Sequence, residues 1–192
     1  MLLDFYCTLV DLSDPVRSRG FDDLARRLGL PLGPGELYRR YAEMISSEPA
    51  KDVAPGFVPY RTSWQSAGHR LLAPFGHESA AEQFADAYAQ MHATAVIFPE
   101  VRDALRALAR HFRMGVVANA DHDYLTRCLD QNGLRFELLV DSETACCYKP
   151  EPPDLPASVR CTFGARGRGG DGRRYPGNRR PGVIGQVFGR RR

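Results

Sequence analysis

Three residues of this chain have types and positions that could support covalent catalysis: Asp4, Asn119 and Lys149. A carboxylate can attack an electrophilic centre, and a nearby ammonium group keeps that carboxylate ionised and oriented. Each residue alone carries little information, because an aspartate after a strand usually caps a turn and a single lysine is usually a solvated surface residue. Their order and spacing together are less common, and they predict one shared site.

The elements that must position these residues are three short apolar runs. Residues 1–3, 114–118 and 136–140 each predict a buried strand. Asp4 and Asn119 directly follow the first two runs, and Lys149 lies in the loop after the third. Because the carboxyl ends of parallel strands meet at one edge of a sheet, we expect the three residues to gather there. Backbone N–H groups of the loop after Asp4 could bind an anion at the same edge.

Helical periodicity fills the stretch between the first and second strands. It predicts four helices: one after Pro15 that stops at Gly29, and one each over residues 37–45, 60–72 and 78–91. Two further helices are predicted between strands, one opened by Pro99 and one that Asp121 N-caps and Gly133 closes. This order predicts an α/β fold, in which a parallel-sheet core (residues 1–13 and 96–152) carries an inserted helical cap (residues 14–95).

The composition changes abruptly near Pro152. Residues 155–192 hold ten of the 26 basic residues but only one of the 23 acidic residues, Asp171. The net charge of +3 is therefore an average over an acidic body and a basic tail. A basic balance confined to the tail is weak evidence for nucleic-acid binding by the whole chain. We expect residues 153–192 to form an irregular, disordered Arg/Gly-rich tail.

Several classes of protein are disfavoured by the remaining composition. The five cysteines form no C-x-x-C pair and no zinc-binding spacing, which predicts reduced thiols in the cytosol. The five histidines also lack the spacing of a metal site. Asp4 follows Met1 too closely for a secretory signal, and no apolar run is long enough to span a bilayer. We therefore expect a cytoplasmic protein with a small-molecule substrate, no membrane partner, and the cap helices as a candidate homodimer surface.

Three segments in order resemble the motifs of the haloacid dehalogenase (HAD) superfamily. Residues 3–11 (LDFYCTLVD) resemble motif I, residues 116–121 (VVANAD) motif II, and residues 147–152 (CYKPEP) motif III. Residues 98–101 (FPEV) match the segment that re-enters the core after an inserted cap. The resemblance covers about residues 1–152 and implies a Rossmann-like core with a helical cap. It also implies that Asp4 is a nucleophile that forms an aspartyl–enzyme intermediate, with Lys149 and Asn119 as its catalytic partners.

The second residue after the nucleophile separates two branches of this family. The family's phosphatases carry a second acid there, which acts as general acid/base on the leaving group. This chain has Tyr6 instead, and aspartate–any–tyrosine resembles the 2-haloacid dehalogenase branch. Halide leaves without a proton in that branch, and no magnesium or other cofactor is required. We therefore expect carbon–halogen hydrolysis, with a Mg²⁺-dependent phosphatase of a small phosphorylated metabolite as the alternative.

Three other positions bear on the predicted site. Cys7 stands where the family has a glycine, and it places a Cβ in a loop that is usually bare. Ala118 replaces the Ser/Thr of motif II, whose lost hydrogen bond typically costs about 1–3 kcal/mol of positioning or affinity. Arg39 could be the cap arginine that holds a substrate carboxylate, although an ordinary helix-surface position is the alternative. Tyr6, Ala118 and Arg39 are thus the candidate substrate-binding residues.

The fourth motif of the family, Gly-Asp followed by another acid, is absent from the Arg/Gly-rich region where it should lie. Three interpretations compete: a natural arm that binds polyanions through phosphates, a tail without a role, and a shifted reading frame. Shifting each codon by one nucleotide permits Arg-Ile-Phe-Arg from residues 153–156, the sequence that commonly follows motif III. The same shift over residues 171–179 permits Met-Val-Gly-Asp-Thr-Pro-Glu-Thr-Asp, a good fourth motif.

The codon argument favours the shifted frame, so we expect this chain to be truncated relative to its family. Without the fourth-motif acids, which direct water or bind magnesium, we expect low or no turnover from the chain as it stands. The corresponding loss of the last core strands would leave one edge of the sheet uncovered. The rival hypothesis is a nonenzymatic protein whose basic tail binds nucleic acid with steep salt dependence.

Overall fold

The computed structural model describes residues 1–47 and 57–149. Its strands, in chain order, are β1 (Leu2–Leu3), β2 (Val10–Asp11), β3 (Val96–Ile97), β4 (Gly115–Ala118) and β5 (Leu138–Asp141). Strands β1, β4 and β5 form a parallel sheet in the order β1–β4–β5, with Leu2 opposite Gly115 and Ala118 opposite Asp141. The three predicted strands are therefore confirmed, with ends shifted by at most two residues.

Strands β2 and β3 form a separate antiparallel ladder that the sequence did not predict. Val10 pairs with Ile97 and Asp11 with Val96. The Phe98 N–H continues the contact by donating to the Leu9 carbonyl at 3.1 Å. This ladder joins the point where the chain leaves the parallel sheet to the point where it returns.

Seven α-helices fill the rest of the described residues. They are α1 (Asp14–Arg27), α2 (Glu36–Ser47), α3 (Tyr60–Leu72), α4 (Ala81–Ala93), α5 (Val101–Ala109), α6 (His122–Gln131) and α7 (Ser142–Ala145). The first four lie between β2 and β3, within the stretch that was predicted to hold four helices, and α3 has the predicted ends. The predicted helix over residues 78–91 instead begins with a 3₁₀ turn, Glu78–Ala80, before α4. Helix α1 ends at Arg27, two residues before the predicted stop at Gly29, whose φ of +63° is the left-handed conformation that glycine adopts freely.

The helices between β2 and β3 pack around buried aromatic side chains. The Phe21 ring centroid lies 5.2 Å from those of Tyr41 and Phe84, and the Trp64 centroid lies 4.6 Å from that of Tyr88. Trp64 is buried in the core of the helical segment. Helices α3 and α4 approach closely at Gly68, where an added Cβ would lie 3.0 Å from the Phe84 Cβ. Any larger residue at this position would push the two helices apart.

Two segments of the predicted organisation lie outside the residues that the structure describes. Residues 150–152 of the third motif and the predicted tail, residues 153–192, lie outside the described residues.

Strand β1 pairs with β4 on one side, and no described strand pairs with its other side. None of the described helices is long and apolar enough to cross a membrane. The division into a core and a cap stays a prediction.

Candidate active site

Lys149 and Asp4 form an ion pair at the carboxyl end of the parallel sheet. Strand β1 ends at Leu3, so Asp4 is the first residue beyond the sheet edge. The Lys149 Nζ lies 2.5 Å from the Asp4 Oδ1 and also donates to the Val117 carbonyl, 2.9 Å away on β4. A cation in contact with a carboxylate favours its ionised form, which is the form that can act as a nucleophile. The predicted contact between these two side chains is therefore present.

Asn119 connects the end of β4 to the loop that carries Lys149. The Lys149 N–H donates to the Asn119 Oδ1 at 2.7 Å, and the Asn119 Nδ2 donates back to the Lys149 carbonyl at 3.3 Å. Because these bonds fix the backbone of Lys149, they also aim its side chain at Asp4. The structure thus brings all three predicted residues together, and their catalytic roles stay predictions.

Thr8 is a further member of this site that the sequence analysis did not single out. Its Oγ1 donates to the Asp4 Oδ2 at 2.9 Å, so each oxygen of the carboxylate has one donor. The residue lies within the segment that resembles motif I, which was the available signal. Its hydroxyl and the lysine together fix the orientation of the Asp4 carboxylate.

The loop that follows Asp4, residues 4–10, turns tightly through Cys7. The Cys7 φ is +60°, in the left-handed region that glycine occupies most easily. The turn is closed by the Leu9 N–H, which donates to the Phe5 carbonyl at 2.8 Å, and by the Cys7 N–H, which donates to the Val10 carbonyl at 2.9 Å. Cysteine therefore occupies a conformation that suits the family's glycine.

The Tyr6 ring packs within a cluster of aromatic side chains. Its ring centroid lies 5.0 Å from that of Phe5 and 4.8 Å from that of His92. Burial, together with the nearby Cys128 and Asp121, raises the pKa of the Tyr6 hydroxyl well above its usual value. The phenol therefore keeps its proton at neutral pH, so it can donate a hydrogen bond but is a poor general acid or base.

The other two candidate substrate-binding residues lie in different surroundings. Ala118 is buried at the end of β4, next to Asn119, and offers no side-chain hydrogen bond. Arg39 lies on α2 with about half of its side chain exposed, and it pairs with Glu36 and Glu43 of the same helix. These contacts match the helix-surface alternative, and a substrate-binding role for Arg39 stays a prediction.

Arg17, on α1, is an arginine that the sequence analysis did not mark. Its guanidinium donates to the Asp14 Oδ1 at 3.1 Å and to the Tyr38 hydroxyl at 3.3 Å. A second guanidinium nitrogen lies 3.5 Å from the Cys7 Sγ, so Arg17 contacts the loop that starts at Asp4. Nothing in the spacing of arginines along α1 distinguishes this residue from Arg19 or Arg26.

Asp121 corrects one sequence prediction. It occupies the N-cap position of α6, as expected, but its side chain makes no hydrogen bond to that helix. Instead, its two carboxylate oxygens accept the N–H groups of Tyr60 and Arg61, both at 2.8 Å, at the start of α3. Only 5% of Asp121 is exposed, and burial raises the pKa of its carboxyl group. The residue therefore ties the loop after β4 to the helical segment.

Comparison with known proteins finds relatives of two kinds. No family model matches the chain. The chain is 35% identical over 158 residues to a phosphoglycolate phosphatase of Pseudomonas putida, a match that covers 81% of the chain and 54% of the relative. A second P. putida protein, a probable phosphoglycolate phosphatase, is 33% identical over 75 residues, which are 38% of the chain and 30% of that relative. The chain thus spans about half, or less, of the curated relatives it matches.

Solved structures share the fold at lower sequence identity. A defluorinating L-2-haloacid dehalogenase superposes with a TM-score of 0.64 at 18% identity, over 86% of this chain and 68% of the other. The putative HAD-hydrolase YfnB from Bacillus subtilis, bound to magnesium, gives 0.62 at 16% identity over 87% and 73%. L-2-haloacid dehalogenase from Xanthobacter autotrophicus gives 0.57 at 19% identity over 86% and 64%.

The fold, the three motifs at one sheet edge and the curated relatives agree. The chain resembles hydrolases of the HAD superfamily in its fold and in the order of its motifs. The fold prediction, a Rossmann-like parallel sheet combined with helices, is confirmed by the same comparisons.

Magnesium is the cofactor that the phosphatase alternative requires, and the described part of the candidate site does not by itself supply its ligands. Mg²⁺ prefers carboxylate oxygens and water in octahedral geometry. Asp4 is the carboxylate of the described site, and both of its oxygens already have donors. No group of three or more His, Cys, Asp and Glu side chains suited to a metal ion occurs within residues 1–47 and 57–149. We therefore derive no catalytic step through a metal.

Proposed function

We propose that the chain is derived from a HAD hydrolase that uses Asp4 as a nucleophile on carbon, in a reaction of the 2-haloacid dehalogenase type. The observation that carries this proposal is the 2.5 Å contact between the Lys149 Nζ and the Asp4 Oδ1, with Tyr6 two residues after the nucleophile. The ammonium group contacts the carboxylate and fixes its orientation. Asn119 and Thr8 keep the two partners aligned.

The reaction consists of two displacements. A carboxylate oxygen of Asp4 attacks the substrate carbon, the carbon–halogen bond breaks, and the halide leaves with the bonding electrons. The product of this step is an ester between Asp4 and the substrate. Water then cleaves the ester at its acyl carbon, which releases a hydroxy acid and a proton and regenerates the carboxylate.

Tyr6 is what favours a halide over a phosphate ester as substrate. An alkoxide leaving group needs a proton from a general acid, whereas a halide does not. The raised pKa of the Tyr6 hydroxyl makes it a poor proton donor to a leaving group. The first step therefore works best when the leaving group departs as a stable anion.

The phosphatase alternative is supported by a different observation. The relative with 35% identity is a phosphoglycolate phosphatase, and YfnB binds magnesium. Under this alternative Asp4 attacks phosphorus in a small phosphorylated metabolite, and the reaction requires magnesium ligands in addition to Asp4. The dehalogenase neighbours share less than 25% identity with the chain, so they support the fold and leave the substrate to experiment.

Ester formation on Asp4 gives a direct test. We would incubate the full chain with 2-chloropropionate and measure the intact protein mass and the modified peptide. We expect an ester on Asp4 in the wild type, no ester in Asp4→Asn, and an unchanged ester in the matched control Asp23→Asn, an exposed aspartate on α1. Magnesium-dependent hydrolysis of p-nitrophenyl phosphate that requires Asp4, without ester formation, would replace the proposal with the phosphatase alternative.

The fate of the ester tests the truncation. If the acids of the fourth motif are needed to direct water, the ester accumulates in the chain as it stands and turns over in a frame-restored chain. Resequencing the DNA that encodes residues 145–192 shows whether a nucleotide was gained or lost.

The polyanion hypothesis makes a separate prediction, which is salt-dependent nucleic-acid binding that disappears on truncation at Pro153.

A further inference from the structure

Tyr148, the residue before Lys149, connects the loop of the candidate site to the start of α3. Its hydroxyl donates to the Val58 carbonyl at 2.5 Å. Its ring centroid lies 4.7 Å from that of Tyr60 and 5.1 Å from that of Phe57. The Val58 acceptor lies 90 residues earlier in the chain. Tyr148 is thus held by a distant segment that contributes none of the three predicted catalytic residues.

The Tyr148 hydroxyl is suited to act as a hydrogen-bond donor at this position. Burial, together with nearby Tyr60, Asp121 and Glu143, raises the pKa of Tyr148 well above its usual value. The phenol therefore keeps its proton at neutral pH. Because a backbone carbonyl can only accept a hydrogen bond, the contact with Val58 requires that protonated form.

A second loop of the sheet edge binds the same turn of α3. Asp121 accepts the N–H groups of Tyr60 and Arg61, both at 2.8 Å. It lies two residues after Asn119, whose side chain hydrogen-bonds to the backbone of Lys149. The loops after β4 and β5 are therefore bonded to each other at the site, and each is also bonded to the start of α3. This arrangement fixes the start of α3 relative to Lys149.

The two neighbouring residues of the Lys149 loop contact different parts of the molecule. Tyr148 contacts the start of α3, whereas the Lys149 Nζ contacts the Asp4 Oδ1 and the Val117 carbonyl. The peptide unit between them is planar and rigid, so a shift of Tyr148 also moves the backbone of Lys149. A displacement of about 1 Å at reacting groups can reduce a rate by about 100-fold. The position of Tyr148 therefore bears on the ion pair.

We propose that Tyr148 is a positioning residue: by binding the start of α3, it holds Lys149 in its ion pair with Asp4. The effect on catalysis rests on the proposed function, whereas the effect on the position of Lys149 does not. The assignment gives the helical segment a role in the reaction that requires no contact with the substrate.

Chemical labelling of the Lys149 amine tests the positioning apart from catalysis. Lys51 and Lys149 are the two lysines of the chain, so each can be followed in its own peptide. We would treat the full chain with acetic anhydride and measure the acetylation rate of Lys149 relative to that of the Met1 α-amine, which precedes β1 and bonds to the Arg113 carbonyl. An amine held against a carboxylate must leave that contact before it attacks the reagent.

Loss of the Tyr148 contacts should make Lys149 more reactive. Tyr148→Phe, which lacks the hydroxyl, should raise the ratio of the two acetylation rates about two- to tenfold, the range expected for one lost hydrogen bond. Tyr148→Ala, which also lacks the ring, should raise the ratio further.

Val58→Ala is the matched control. It replaces an exposed side chain but keeps the carbonyl that accepts the Tyr148 hydrogen bond, so the ratio should stay at the wild-type value. A wild-type ratio in the folded Tyr148 variants overturns the proposal and leaves Tyr148 as a packing residue. If Tyr148→Ala does not fold, Tyr148→Phe, which keeps the ring, decides the question.

A double-mutant cycle tests whether Tyr148 acts through Lys149. With 2-chloropropionate, Tyr148→Phe should lower the maximal rate of ester formation on Asp4 by about two- to tenfold. The half-saturating concentration should not change, because the substitution acts on the reacting pair rather than on substrate binding. In the Lys149→Met background, the same substitution should change the rate by less than about twofold. An equal loss of rate with and without Lys149 would contradict action through the lysine.

The two proposals can fail separately. Absence of an Asp4 ester in the wild type, together with Tyr148-dependent labelling of Lys149, rejects the proposed reaction and keeps the positioning role. Ester formation at the wild-type rate by the Tyr148 variants, with wild-type labelling of Lys149, keeps the reaction and rejects the positioning role.

Discussion

The polar groups at the sheet edge of this molecule are hydrogen-bonded to one another, whereas several buried polar groups on its helical side have no hydrogen-bond partner among the described residues. At the sheet edge, Asp4, Asn119 and Lys149 meet one another through hydrogen bonds of 2.5–3.3 Å. On the helical side, the buried hydroxyls of Tyr6 and Tyr124 and the buried Nε of Arg17 have no hydrogen-bond partner among the described residues.

Under the proposed function, the paired groups at the sheet edge are the reacting groups. Groups that react are held in place before the substrate arrives, because fixed dipoles need no reorganisation during the reaction. Mutations on the two sides should therefore have different signatures: loss of rate at the sheet edge, and lower stability or altered pH dependence on the helical side.

Lys149→Met should give the largest effect. The variant removes the cation that contacts Asp4, so the rate of ester formation with 2-chloropropionate should fall by about 10²–10³, the usual loss for one preorganised charged donor. Lys149→Arg should retain part of the rate. If the methionine variant forms the ester as fast as the wild type, the ion pair has no catalytic role.

Asp121 joins the two sides, and its removal should lower the stability of the protein. Asp121→Ala leaves the N–H groups of Tyr60 and Arg61 without their acceptors, which should reduce the free energy of unfolding by about 1–3 kcal/mol. Asp121→Asn keeps one acceptor and should lose less. Asp123→Ala, at an exposed position two residues later, serves as the control in urea denaturation. Equal midpoints for the two alanine variants would mean that Asp121 does not hold α3.

Asp121 also makes a signed prediction for pH. Burial raises the pKa of its carboxyl group in the folded protein, so its contribution to stability is greatest when it is protonated and declines as pH rises through that raised value. The stability of the wild type relative to Asp121→Asn should accordingly fall from acidic to neutral pH. A difference that is constant over this range, measured by urea denaturation, would contradict the raised pKa.

His92 should impose the opposite pH dependence. Its pKa of about 4 in the folded protein lies below the unfolded value of about 6.5. Its contribution to stability is therefore fully present above the unfolded value and is lost as pH falls through the folded value. His92→Phe keeps an aromatic ring at this position and should flatten the fall in stability below neutral pH. The exposed His69→Gln is the control, and a His92→Phe curve parallel to the wild type would exclude the burial effect.

The sequence predicted the sheet edge better than the helical side for a physical reason. Asp4 and Asn119 are placed by strands, and the meeting of parallel strand ends follows from topology alone. The α3 helix was predicted with its observed ends because its periodicity is a local property of the sequence. The local sequence pattern was sufficient to predict those elements that are defined by their own residues.

Contacts between distant segments could not be predicted in this way. The β2–β3 ladder has two residues in each strand, too few for any periodicity. Asp121 satisfied a local rule for N-caps, yet its side chain bonds to α3, about 60 residues earlier in the chain. Arg17 and Arg39 are alike in sequence, and only tertiary packing shows that one is largely buried beside Cys7 while the other pairs along its own helix. Which residue a polar side chain contacts depends on the assembled fold.

Cys7 should give the smallest effect, and it tests how strictly the sheet edge is constrained. At a φ of +60° a residue with a Cβ is destabilised by about 1–2 kcal/mol, whereas glycine is not. Glycine, however, loses more backbone conformational entropy on folding, which costs about 0.5–1 kcal/mol. Cys7→Gly and Cys7→Ala both remove the Sγ, which contacts the Leu12 carbonyl and Arg17. The difference between them therefore isolates the backbone conformation.

We expect Cys7→Gly to be more stable than Cys7→Ala by up to about 1 kcal/mol in urea denaturation. Ester formation on Asp4 should proceed at a similar rate in both variants, because neither the Lys149 nor the Thr8 contact to Asp4 involves the Cys7 side chain. An alanine variant at least as stable as the glycine variant would show that the loop relaxes out of the left-handed conformation. Slower ester formation in that variant alone would then show that this conformation sets the position of the nucleophile.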